Sequence, residues 1–506
     1  MLRRRALRTA VATCAATAVL ATPALAGTGG AGAPGVGDSY FPKAGNGGYD
    51  VSHYDIRLRY QPENDLLRGT TTNEAETTER LSSFNLDFAL EIRSVRVNGA
   101  PARVERQDAT EVTVTPKRAL PEGSLATFVV SYADKPSTVE VNGETPWKRT
   151  ADGAVAVGQP RIAEWWFPGS DHPSDKASFD ISVAVPNGTE VLSNGRMTAR
   201  TRLGGWTRWN WRMPSPSATY LAFLAIGQYD VHSKKGAFDQ PMVTAYADDL
   251  GELRGAAEAS LERTPEILDF LSELVGPYPF ESQGGVVPAE GLGFALENQT
   301  RPVYSPNFFR IGSNTSVVTH ELAHQWFGNS VALEDWSSIW LNEGFASYAE
   351  WLWAEHQGNG TAQQLFDHYY SSYPADSPFW RFTPGDPGKE SLFHASVYNR
   401  GAMTLHALRE RIGDEAMLET VRTWFERKRG GNATVSEFVE LTERISGQRL
   451  DGFFDEWLFS EGKPRVGVET GVARTASARS ADAPEPKAVE RLDHTHELLA
   501  RAHRRG

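Results

Sequence analysis

The run VVTHELAHQWFGNSVALEDWSSIWLNEGFASYAE, residues 317–350, decides how the rest of the chain is read. His320 and His324 are four residues apart, with Glu321 directly after the first. At about 100° per residue on a helix, the two imidazoles share one face and the carboxylate lies beside them. Two imidazoles so placed can hold one zinc ion while the carboxylate stands next to its open position. The third ligand is expected to be Glu343, in Trp340-Leu341-Asn342-Glu343-Gly344-Phe345-Ala346. Two His and one Glu leave one coordination position free, the mark of a catalytic zinc site rather than a structural one. The competing reading is a pair of core histidines on a buried helix. It leaves unexplained why Glu321 and a second acid share the same apolar surroundings.

Around this run the pattern is helical. Asn314 or Ser313 is placed to cap the first helix, and Gly328 stands where a glycine would end it. Val317, Val318, Leu322, Ala323, Trp326 and Phe327 make that helix apolar nearly all round, so it is predicted to be buried. A second helix is expected from about Leu341 to His356, with Glu350 on the same face as Glu343, and Glu350 and Asn342 are candidates to support the ligands. Upstream, residues 252–275 read as one amphipathic helix closed by Gly276-Pro277. The Gly-rich stretch from Gly284 to Glu297 is predicted to hold an edge strand beside the zinc helix. Further helices are expected near 361–372, 401–412, 414–428 and 435–445.

Before about Lys235 the period is two. Tyr54, Ile56, Leu58 and Tyr60 alternate with polar residues, as do Ile92 to Val97, Val112 to Val114 and Phe128 to Tyr132, with turn signals such as Asn98-Gly99 between them. The expected fold class is therefore α+β and multidomain. A sandwich-like all-β domain over 49–235 precedes a mostly helical zinc catalytic domain over 236–468. His172 and Asp175 are assigned to a structured turn, because nothing near them in sequence completes a metal site.

At 506 residues the chain needs more than one core, and 14 tryptophans argue for large ones. Residues 1–26 carry four arginines, a short apolar run and Ala24-Leu25-Ala26, the pattern of a cleaved signal peptide by a Sec or twin-arginine route. The apolar run is too short to serve as a stable membrane span. A secreted, extracellular protein is expected. Residues 27–48, rich in Gly, are expected to be a flexible leader, and 469–506 a disordered tail. The single cysteine, Cys14, lies inside the signal peptide, which excludes Cys-dependent catalysis and Cys-ligated zinc from the remainder. Net charge is −13, falling to −17 once the four arginines of residues 1–26 are discounted, a surface that repels nucleic acid and anionic lipid. In the tail, His494-Thr495-His496-Glu497 is read as a decoy. Histidines two apart diverge on a helix, and no third ligand is near in sequence.

The separated motifs His320-Glu321-Leu322-Ala323-His324, Trp340 to Ala346, Phe294-Ala295-Leu296-Glu297-Asn298 and Tyr398-Asn399-Arg400-Gly401-Ala402 resemble those of the aminopeptidase N-like zinc peptidases, a gluzincin family. The segment from Phe167-Pro168 to Ala177 also looks like that family's N-terminal β-domain signature, and the likeness runs from about Tyr49 to Val466. The resemblance implies a thermolysin-like catalytic domain, one Zn²⁺ per chain on His320, His324 and Glu343, Glu321 as general base and Tyr398 as oxyanion donor. It implies further that Glu297, with Ala295, Asn298 and Gln159, binds the free N-terminus of a peptide. Phe294 and Leu296 depart from the family's Gly and Met, and Arg400 replaces its usual lysine. The chain stops soon after the catalytic domain, so the family's large helical C-terminal domain is expected to be missing. The expected activity is removal of N-terminal residues from peptides. The alternatives are a zinc endopeptidase or epoxide hydrolase on the same site, or an inactive secreted binding protein.

Overall fold

The computed structural model describes residues 29–289, 292–465, 467–471 and 485–502. The signal-peptide assignment to residues 1–26 lies outside the described residues.

The period-two segments form the strands they predict. Tyr54, Ile56, Leu58 and Tyr60 all face inward from the strand Tyr49–Gln61. That strand runs through the middle of an eight-stranded sheet, antiparallel to Leu66–Thr77 on one side and parallel to Lys176–Pro186 on the other. Two four-stranded sheets are built from the rest. One brings Phe84 to stack on Phe128 of the large sheet at 4.1 Å between ring centroids, and the other sets Trp147 edge-on to Tyr60 at 5.4 Å. Aromatic faces this close make the sheet-on-sheet core continuous.

A five-stranded sheet starts the second half, in the order Tyr229–Lys235, Pro241–Ala247, Gln283–Val287, Val303–Tyr304, Ala295–Leu296. The first of these strands pairs with Pro241–Ala247 and so belongs here, which moves the junction from the expected Lys235 back to about Gly227. Ala295–Leu296 is the edge strand expected beside the zinc helix. The α-helices that follow are α1 (Arg254–Leu261), α2 (Thr264–Val275), α3 (Thr315–Ala323), α4 (Trp340–His356), α5 (Ala362–Ser372), α6 (Ala395–Ile412), α7 (Asp414–Lys428), α8 (Val435–Ser446), α9 (Asp451–Phe454) and α10 (Val489–Ala502). The single helix expected over 252–275 is broken at Glu262–Arg263. Pro265 begins a new helix there, since proline has no N–H with which to continue the old one.

Two other expectations are corrected. The flexible leader is packed: Gly30–Ala31 pairs with the strand Leu81–Asp87, and buried Asp38 accepts hydrogen bonds from the backbone N–H groups of Tyr40, Phe41 and Trp336 while facing His172. Short polar side chains that satisfy buried backbone groups take the place of apolar area in holding this segment. The disordered tail is also overturned for residues 485–502, where α10 buries Val489, Leu492 and Leu499.

One contact sets the spacing of the catalytic helices. A Cβ on Gly344 of α4 would lie 2.6 Å from Trp340 Nε1 and 3.3 Å from Gly401 Cα of α6, while one on Gly401 would meet Gly344 Cα at 2.9 Å. The two helices therefore touch main chain to main chain, which only paired glycines permit.

Candidate active site

Helix α3 opens on Asn314, whose side chain accepts hydrogen bonds from the N–H groups of Ser316 and Val317. It ends earlier than Gly328. His324 is already the cap, and the chain then turns so that the N–H groups of Asn329, Ser330 and Val331 donate to the carbonyls of His324, Gln325 and Trp326. Gly328, at φ +121°, sits inside this turn and packs on Asn342. The ammonium of Lys176, from the β domain, donates to the carbonyls of Asn329 and Ser330 at 2.9 Å each and holds the turn from outside.

His320, Glu321 and His324 are thus brought to the end of α3, against Glu343 in the first turn of α4, and all four are buried. His320 Nδ1–H donates to Glu350 at 2.8 Å, and His324 Nδ1–H donates to the Phe327 carbonyl at 3.0 Å. Each ring therefore turns its Nε2 lone pair inward. The distances from Glu343 Oε2 to those two nitrogens are 3.3 and 3.5 Å. Tetrahedral zinc with bonds of about 2.0–2.1 Å spaces its donors roughly 3.3–3.4 Å apart, so these residues fit the ion. Of the two supporting candidates, Glu350 is bonded to a ligand. The Asn342 amide reaches none, and among the described residues both its polar atoms lack hydrogen-bond partners.

The carboxylates differ in charge state for physical reasons. Burial pushes Glu343 up, but the two imidazoles outweigh it and hold the carboxyl at about 2. Burial dominates at Glu321, which rises to about 8 despite the same imidazoles, and its Oε1 has no hydrogen-bond partner among the described residues. Burial also raises Glu297.

Glu297 follows the edge strand Ala295–Leu296 and lies within ligand distance of Glu321 and His324, their nearest polar atoms all within 4.8 Å of one another. Its Oε1 accepts hydrogen bonds from Tyr220 OH at 3.1 Å and Gln159 Nε2 at 3.3 Å, both from the β domain. Its main-chain carbonyl is held by Gln325 Nε2 and Asn329 Nδ2 at 3.0 and 2.7 Å. The Asn298 amide donates to the Leu221 carbonyl, tying down the turn that carries Tyr220. Tyr398, on α6, stacks on His320 at 6.0 Å between centroids. Arg400, two residues on, points away and donates to five main-chain carbonyls between Trp380 and Ser460.

Sequence reasoning missed Tyr220, Gln325 and Asn329. Tyr220 lay within the expected β domain, where no motif or spacing singled it out. Gln325 and Asn329 were visible as polar residues in an otherwise apolar segment and carried a signal that went unused. It also misjudged His496, which is taken up below.

Residues 260–457 match the peptidase family M1 domain, and residues 51–221 match the peptidase M1 N-terminal domain. The crystal structure of an M1 zinc metallopeptidase from Deinococcus radiodurans superposes with a TM-score of 0.77 at 30% identity, covering 87% of this chain and 100% of that one. The chain belongs to peptidase family M1. That crystal structure is of a mutant bound to a Tyr-Ser-Ala substrate. A two-domain M1 zinc metallopeptidase bound to L-arginine superposes on this M1 chain at a TM-score of 0.76, with 30% identity over 85% of this chain and 99% of the other. Glutamyl aminopeptidase of Rattus norvegicus is 27% identical over 468 residues, 82% of this chain and 48% of the rat protein. The M1 chain thus spans about half the length of that relative. The two-domain arrangement, β-rich then helical, is that of the M1 structures it matches.

Proposed function

We propose that this M1 chain is a zinc-dependent aminopeptidase carrying one zinc ion. The observation that supports this best is Glu297. A buried carboxylate, fixed by Tyr220 and Gln159 beside Glu321 and His324, pairs more strongly with the α-ammonium of a peptide than with a neutral mid-chain N–H.

His320, His324 and Glu343 would hold the ion. When bound, zinc supplies Lewis acidity, polarising a peptide carbonyl and making water acidic near neutral pH. Glu297 binds the ammonium and sets the register, so that the first peptide bond lies over Glu321. Glu321 accepts a proton from the attacking water and passes it to the leaving amine. The Tyr398 phenol donates to the developing oxyanion.

The test compares a peptide with a free amine and its N-acetylated twin, each with and without chelator. Chelator-sensitive cleavage confined to the free-amine peptide is expected. Cleavage of both alike would favour an endopeptidase, and turnover of neither would favour a binding protein. We also propose export with cleavage after Ala26. Among the described residues no helix is long and apolar enough to cross a membrane. A secreted product beginning at Gly27 is the expected result of N-terminal sequencing.

A further inference from the structure

The helix α10 packs against α3, which carries His320, and against α6, which carries Tyr398. On it Val489, Leu492, Asp493, His496 and Leu499 fall on one face at helical spacing, and the apolar members are buried. Asp493 accepts a hydrogen bond from Tyr369 OH at 2.9 Å, and His494 Nε2 is 3.1 Å from the Asn307 carbonyl. Thr495 Oγ1 accepts one from Asn314, the residue that caps the zinc helix, at 2.9 Å. His496 goes furthest in. Its Nδ1 lies 2.6 Å from Asn399 Oδ1, next to Tyr398, and its Nε2 lies 2.9 Å from Glu350 Oε1. That is the same oxygen to which His320 Nδ1–H donates at 2.8 Å.

We propose that α10 is a working part of the zinc centre and that His496 is a positioning residue, acting through Glu350 on the His320 ligand. The reading rests on the zinc site described above. Glu350 is buried, and among the described residues its Oε2 has no hydrogen-bond partner and only the two imidazoles are bonded to its other oxygen. Without His496 that carboxylate keeps one bond and is free to swing about it. His320 then loses the fixed acceptor that selects its tautomer and aims its Nε2 at the metal. Groups that orient a ligand in this way typically change metal affinity or activity by about 10–100-fold. His494 and His496 form no site together, as expected from their spacing, but His496 is more than a decoy because it reaches Glu350.

The experiment measures zinc affinity by chelator competition without substrate, and kcat and KM separately, in the full chain. His496→Leu fills similar space but cannot donate. It is expected to bind zinc about tenfold more weakly and to lower kcat with KM within about twofold. His496→Gln, whose amide can donate to Glu350, is expected to restore most of both. His494→Ala weakens the docking of the same helix without touching the site and should resemble the wild type. If His496→Leu does not fold, the comparison of His496→Ala with His496→Gln carries the same expectation. Wild-type zinc affinity in the Leu or Ala variant would overturn the proposal, as would an equal loss in His494→Ala. Because affinity is read without substrate, a protein whose zinc depends on His496 but which cleaves nothing sinks only the aminopeptidase reading.

Discussion

The molecule buries acid groups in two places and treats them oppositely. In the helical half, Glu343 and Glu350 lie against imidazoles, which outweigh burial and keep both carboxyls below their ordinary range. In the β domain, Asp87, Glu111, Glu164 and Asp171 are equally hidden, and burial raises all four, Glu111 to about 7 and Glu164 to about 8. Arg161 lies 3.8 Å from Glu164, and both oxygens of Glu111 lack hydrogen-bond partners among the described residues. Burial alone therefore does not mark a functional acid. What separates Glu343 and Glu350 is an imidazole aimed at each, whereas Glu321 and Glu297 in the same cluster are raised by burial as the β-domain acids are.

The sharpest break of that contrast is Glu321→Gln. It should keep zinc and lose about 10²-fold or more of kcat, seen by metal analysis alongside steady-state rates. Near-normal turnover would make Glu321 just another buried acid. Next is Glu297→Ala, expected to cost free-amine substrates about 10–100-fold in kcat/KM and so to narrow the gap between them and their N-acetylated twins, the worth of one charge-assisted bond. Gly344→Ala then asks whether helix spacing keeps the bases aimed. The added methyl meets Trp340 and Gly401, so a loss of about 1–3 kcal/mol in denaturant unfolding and a fall in kcat are expected together. The smallest effect belongs to the β domain. Folded Glu111 holds a proton up to about pH 7 that the unfolded chain releases near 4.5, so its contribution to stability falls as pH rises through that window. Glu111→Gln should thus stabilise by on the order of 1–2 kcal/mol at pH 8 and by almost nothing at pH 4, read from unfolding at each pH. A pH-independent gain would mean that the carboxylate had been satisfied after all.

The zinc helices and the β alternation were legible because both are local. The spacing of His320, Glu321 and His324 needs only a helical turn, and Tyr54 to Tyr60 needs only a strand. Glu350 could be placed for a similar reason, one helical face from Glu343. Residues 29–48 were not legible, since they have no long apolar stripe, and the spacing of Val489, Leu492 and Leu499 does not say where α10 docks. Polar contacts to partners far along the chain help fix both segments, Asp38 to Trp336 across 298 positions and His496 to Glu350 across 146. No periodicity in a window of a dozen residues encodes such pairings. Tyr220 was hidden for a third reason: its hydroxyl leaves an otherwise apolar strand-like run to meet Glu297, 77 positions later.

That hydroxyl divides labour between the two halves of the chain. A fragment starting at Gln228 would contain every side chain proposed to grip the metal, yet the acid meant for the substrate's terminus would have neither Tyr220 nor Gln159 to steady it. Swapping the first half between relatives is therefore a route to altered peptide choice that leaves the hydrolytic machinery in place.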